Sequence, residues 1–190
     1  MTRHGSQDLY LNSQFLEDTR SFEHEIGRLG EKLDDATAAF LARFIVSLGQ
    51  PGERPLLGFC PALQDKFRSI TERGWRTLHD RAEMRNRMPW IIGYAENMDT
   101  FRRVYQLAWN SANNEPVVVV LAPEADSGDT FVEVEKAEGL YPGREERLLS
   151  GYPTVVSRYY DGLWLRVLSR RLRPEDAAEC LDEARSDTSV

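Results

Sequence analysis

The chain has 190 residues, 41% of them hydrophobic and 29% charged, with a formal net charge of −7. That length and composition exclude a disordered chain and fit one globular domain, or a domain with a small helical appendage, that can bury a core without staples. The negative balance disfavours a general nucleic-acid binder, and no apolar run approaches the length of a bilayer span.

Residues 1–10 are polar and read as frayed. From Leu11 the apolar positions Phe15, Leu16, Phe22, Ile26 and Leu29 recur mostly at steps of three and four, which predicts an amphipathic helix ended by Gly27 and Gly30. Asp34 or Asp35 can cap a second helix whose stripe is Leu33, Thr37, Phe40, Leu41, Phe44 and Leu48; Gly49-Gln50-Pro51-Gly52 then stops it. Residues 55–60, PLLGFC, form a short apolar run that suits a buried strand. Residues 62–87 carry Leu63, Phe67, Ile70, Trp75, Leu78 and Ala82 at helical spacing, with Gly74 as a kink.

MPWIIGYAEN, residues 88–97, repeats the strand style, and residues 99–110 return to helical spacing with Asp99 as a cap. Val117 to Leu121 is continuous and β-branched, the signature of a central strand. After the turn at Gly128, Thr130 to Glu135 alternates, so the two runs predict a hairpin with one wet face. Residues 139–153 read as loop and turn. A helix is expected from Pro153, with Tyr152, Val156, Tyr159, Leu163 and Val167 on its core face, and a last short helix from Pro174.

The candidate chemistry is sparse. His4, His24 and His79 are scattered, and HEIGRLGE at 24–31 lacks the second histidine of a zinc-protease helix. Cys60 and Cys180 are far apart in sequence and read as inert thiols. No nucleophile elbow, dinucleotide fingerprint or Walker spacing is present, so no cofactor is expected. What remains is the acidic stretch Glu124, Asp126, Asp129, Glu133 and Glu135. These acids could hold a divalent ion or act as acid and base, yet acids and glycine are also what any turn uses, and charges on an edge strand block unwanted pairing. Arginines cluster at 68, 73, 76, 81, 85 and 87 and again at 166, 170, 171 and 173; interleaved acids favour solvated faces over phosphate contacts. The C-terminal Thr188-Ser189-Val190 has the form of a PDZ-domain ligand, with Thr188 and Val190 as its determinants; a plain frayed tail is the favoured reading, and the motif matters only in an animal cell.

LLGFC at Leu56 to Cys60, PWIIGY at Pro89 to Tyr94 and the stretch from Tyr159 to Leu168 resemble, in that order, the first motif, the Trp-containing strand motif and the closing helix of the SUKH superfamily. That group includes bacterial toxin-immunity proteins and related herpesviral proteins. The resemblance, over about residues 30–170, implies a non-enzymatic binder that neutralises a toxin in bacteria or a host defence or death factor in viral settings.

The expected fold is α+β, with a mixed or antiparallel sheet of about four to six strands covered by helices. Residues 1–30 form an N-terminal helical segment, 31–173 the core, and 174–190 a short helix and flexible tail. The expected function is non-enzymatic binding of a protein partner, with a basic one favoured by the charge. The expected contact surface is Glu124, Asp126, Asp129, Glu133 and Glu135, anchored by Tyr94 and Trp109. A metal-dependent enzyme using the acids at 124–135 and a nucleic-acid-binding regulator using the arginine helices are the alternatives. The N-terminus lacks a signal-peptide core, so a cytoplasmic location is expected, or also nuclear in a eukaryotic host.

Overall fold

The computed structural model of the chain describes residues 9–27, 29–60, 74–81, 90–112, 117–138, 144–159 and 164–186. They build one eight-stranded sheet in which every neighbouring pair is antiparallel. In chain order the strands are β1 (Leu11–Leu16), β2 (Ser21–Ile26), β3 (Glu53–Phe59), β4 (Trp75–Arg81), β5 (Trp90–Ala95), β6 (Val117–Pro123), β7 (Thr154–Tyr159) and β8 (Trp164–Ser169). Across the sheet they run β1-β2-β8-β7-β6-β3-β5-β4. The helices are α1 (Asp35–Ser47), α2 (Met98–Ser111), α3 (Asp129–Glu138) and α4 (Pro174–Ser186), with a 3₁₀ turn at Glu145–Ser150. A sheet of about four to six strands with a helical N-terminal part is therefore corrected to a larger, open, wholly antiparallel sheet that begins with its own first hairpin.

The sheet is covered on both faces. One face packs Leu57, Phe59, Val117, Val119, Leu121, Val156 and Val167 against α1, α2 and α4. The other packs Leu56, Ile92, Val118, Val120, Val155 and Leu168 under Phe131 of α3 and Leu148 and Leu149 of the 3₁₀ turn. Successive residues of β6 alternate between the two cores, which is why the valine run is continuous and not patterned. Each large side chain so buried contributes on the order of 1.5–3 kcal/mol.

The helix over 35–47 starts where its sequence indicates: the Asp34 carboxylate accepts the Thr37 N–H at 2.8 Å. The helix over 98–111 is capped by Asn97, which accepts the Thr100 N–H at 2.9 Å, and Asp99 lies within its first turn. The strands β3, β5 and β6 fall on PLLGFC, WIIGY and the valine run as expected, and α4 starts at Pro174.

Four segments differ. Residues 11–26 are a β-hairpin and not a helix. Its turn, residues 17–20, holds Arg20 at φ 50°, and β2 inserts between β1 and β8. Because β2 is interior, its polar residues are buried on both sides, and no alternation of polar and apolar residues marks it. Residues 75–81 are strand β4; the remainder of the helix expected over 62–87 lies outside the described residues, apart from Gly74. Residues 129–138 are a helix, because Phe131 and Glu135, four apart, both turn to the sheet. The helix expected from Pro153 to Val167 is the β7–β8 pair: Val155 and Val156 enter opposite cores, as do Val167 and Leu168. Gly58 lets α3 lie close, since a Cβ there would meet Phe131 Cζ at 2.6 Å.

Ion pairs lock the two-faced burial. Arg166 of β8 is buried beneath the 3₁₀ turn, bonding Glu23 of β2 through Nε, Glu145 at 3.0 Å and Glu146 at 2.9 Å. Ser157 of β7 donates to the same Glu145 oxygen at 3.0 Å. Arg171 grips Glu53 with two bonds of 2.7 and 2.6 Å and reaches Leu48 O at 3.1 Å, tying β3 and the end of α1 to the approach of α4. Burial alone would raise the Glu53 carboxyl, but the Arg171 hydrogen bonds and the Gln50 N–H hold it below its ordinary value.

His24 is fully buried between β1 and α4. Its Nε2 lies 3.2 Å from Leu172 O, which can only accept, so Nε2 carries the proton and Nδ1 accepts from the Ser13 hydroxyl at 2.8 Å. Burial pushes its pKa down, opposed by the Leu172 carbonyl and the charges of Asp176 and Glu23.

Two outcomes follow. Replacing Arg166 by Met leaves Glu23 and Glu145 buried without that countercharge; urea unfolding at pH 7 is expected to show a loss of about 3–5 kcal/mol. The His24 imidazole binds a proton less readily when folded than its unfolded value of about 6.5. Its contribution is therefore full above that pH and is lost as pH falls below it. Below about pH 6.5, His24→Gln is expected to flatten the pH dependence of urea midpoints relative to the parent chain.

Candidate functional site

The acidic stretch is a strand, a tight turn and a helix. Pro123 ends β6, and the chain turns through Glu124 to Gly128, whose φ of 77° suits glycine, before α3 begins at Asp129. Asp126 organises that turn. Its Oδ1 accepts the Gly128 N–H at 2.6 Å and lies 3.4 Å from the Tyr152 hydroxyl, while its carbonyl accepts from Arg54 Nη2 at 3.1 Å. The Arg54 guanidinium lies 3.5 Å from the centre of the Tyr94 ring. Burial, then the Asp126 charge, raises the Tyr152 phenol and keeps it neutral.

The expected surface is thereby divided. Glu124, Asp129 and Glu133 are exposed, and Asp126 and Tyr94 are half-buried in the turn just described. Glu135 is 0% exposed on the sheet-facing side of α3, so it is not a surface acid. Trp109 is 0% exposed on the opposite side of the sheet, donating to Gly30 O at 3.2 Å under the Arg158 guanidinium, so it cannot anchor a partner beside Tyr94. Among the described residues no three His, Cys, Asp or Glu converge as metal ligands would. Thr188 and Val190 lie outside the described residues.

The arginine clusters are divided too. Arg68, Arg73, Arg85 and Arg87 lie outside the described residues, and Arg76 pairs with Glu96 in solvent. Arg166 and Arg171 face internal carboxylates, and only Arg170 and Arg173 of that group are exposed. The second cluster is a strand and a linker, not a basic helix face.

Among the described residues the sheet ends in two rims, and they differ. The β4 rim carries Arg76 and Asp80, both exposed, and its register shifts between Thr77 and His79; charges and bulges are the usual guards of an edge. The β1 rim, LNSQFL, has no charge, no proline and an unbroken register with β2. Phe15 stands on it 54% exposed, edge-on to Phe22 at 5.1 Å. The Gly27 N–H bonds Tyr10 O, so pairs 10–27, 12–25, 14–23 and 16–21 exchange the hydrogen bonds with β2. Leu11, Ser13 and Phe15 therefore direct their N–H and C=O outward. Sequence reasoning missed this rim because it read residues 11–29 as helix; the charge-free hexamer before the polar turn EDTR was the available signal.

Asp126→Ala removes both bonds of that carboxylate and is expected to cost about 1–2 kcal/mol in urea unfolding, whereas Asp129→Ala should stay within about 0.5 kcal/mol. No protein-family model, curated protein or solved structure matches the chain.

Proposed function

We propose that the chain is a non-catalytic protein-binding module that works by occupying a partner, and that it does so through the β1 rim. The observation that carries this reading is the charge-free edge strand with Phe15 standing 54% exposed beside outward main-chain groups. Unpaired edges are templates for another chain, and proteins with no use for one ordinarily blunt it as β4 is blunted. An exposed aromatic on a rigid strand is also the type of side chain that dominates interfaces. The SUKH-like strings at Leu56 to Cys60 and Trp90 to Tyr94 fall on β3 and β5, which pair side by side. That resemblance implies the same class of action, neutralisation by binding. Of its third element, Trp164 to Leu168 lie in strand β8 and not in a helix, and lend no support.

The surface acids Glu124, Asp129 and Glu133 keep a part in this reading. With a net charge of −7 they contribute to a field that speeds encounter with a basic protein without forming the contact itself.

The test is a tagged full-length chain expressed in its own host, beside Phe15→Lys. One protein should co-purify near one-to-one with the parent. The complex should re-form from purified components, the partner's activity should fall in proportion to chain added, and Phe15→Lys should weaken binding about tenfold or more. Absence of any stoichiometric protein partner overturns the reading.

A further inference from the structure

We infer that the occupant of the β1 rim is an extended, lysine- or arginine-rich segment of another protein, added antiparallel or parallel as a ninth strand. This rests on the reading of the chain as a protein-binding module and names the chemistry of its partner. The main-chain groups of Leu11, Ser13 and Phe15 offer three donors and three acceptors in register, spaced for an added strand. Their side chains share the α4 face of the sheet: Leu11 packs into the core beside α4, Ser13 is held by His24, and Phe15 is left with a free flank. An added strand therefore meets one aromatic ledge on that face and the amide-bearing Asn12 and Gln14 on the other.

The charges around the rim choose the partner. Glu17 and Asp18 follow β1 directly and are exposed. Helix α4 packs against β1 and β2 and bonds Leu9 O through Arg185 Nη2 at 2.7 Å. It exposes Glu175, Glu179, Asp182 and Glu183. Among the described residues, the bases beside these six acids are Arg20, Arg173, Arg185, already bonded to Asp182 at 3.1 Å, and Arg43 of α1, which bonds Ala184 O of α4 at 3.4 Å. A basic strand gains from this surround. A second copy of the chain would bring the same acids against themselves across a two-fold seam, which disfavours self-pairing.

The experiment uses the full chain and a displayed library of random twelve-residue peptides as the probe. Recovered peptides are expected to be rich in Lys and Arg with alternating β-branched residues. A synthetic copy should bind about tenfold more weakly to Phe15→Pro, which loses an outward N–H without touching the β2 ladder. It should also weaken at high salt and in the double variant Glu179→Gln, Glu183→Gln. Amide exchange on the parent chain, which depends on no variant, should slow at Leu11, Ser13 and Phe15 when the peptide is added. Acidic or uncharged peptides, protection at other amides, a concentration-dependent dimer that protects these same amides, or no recovered peptide each overturn the inference. Peptides that bind elsewhere leave the protein-binding reading standing; that reading falls by its own test, when no stoichiometric partner is found in the host.

Discussion

The interior strands of a sheet covered on both faces have no wet side on which to leave a polar group, and the remainder of the structure follows from this. In most antiparallel sheets one face tolerates any hydrophilic residue. Here Glu23 and His24, adjacent on β2, point to opposite cores and each must find partners there. Glu23 finds Arg166 and the Gln14 amide; His24 finds Ser13 and the Leu172 carbonyl. Leaving a buried polar group unmet costs more than the bond itself returns, so these residues fix which strands can be neighbours. Arg166 is the clearest instance: one guanidinium joins β2, β8 and the 3₁₀ turn, with Ser157 of β7 bonded to the same glutamate. Such a cluster adds little net stability over an apolar substitute, and we take its value here to be the register it imposes.

The same burial decides what was legible in the sequence. Elements wholly apolar or capped were read well: the valine run, PLLGFC, WIIGY, and the helices begun by Asp34 and Pro174. Among the strands that failed, the interior ones, β2, β7 and β8, mix apolar residues with charged ones, while β1 and β4 are the rims. In β2, β7 and β8 the apolar residues Ile26, Val156 and Val167 happened to fall at steps of three and four, with Glu25, Arg158 and Arg166 between them, and a helical period was the natural inference. Residues 130–135 failed in the opposite sense. Six residues of alternation carry no length information, and Glu135 looked solvated because nothing local shows that a carboxylate four residues after Phe131 faces the sheet.

For the candidate site, residue type was legible and placement was not. Asp126 and Tyr94 were singled out, and they do lie in one neighbourhood, joined through Arg54. Their work there is to close a turn and shelve a guanidinium. Trp109 was chosen for its chemistry, but α2 buries it on the far face. The β1 rim could be recognised only once the first hairpin was known, because an edge is a property of strand order and not of any local string.

The contrast between the two rims has a consequence for how large an assembly this protein can join. Cross-β growth requires that every unit accept a neighbour on both sides. If β1 takes a strand as proposed, then among the described residues the register-shifted, charged β4 margin gives the next unit no matching edge, and such a stack would end after one addition.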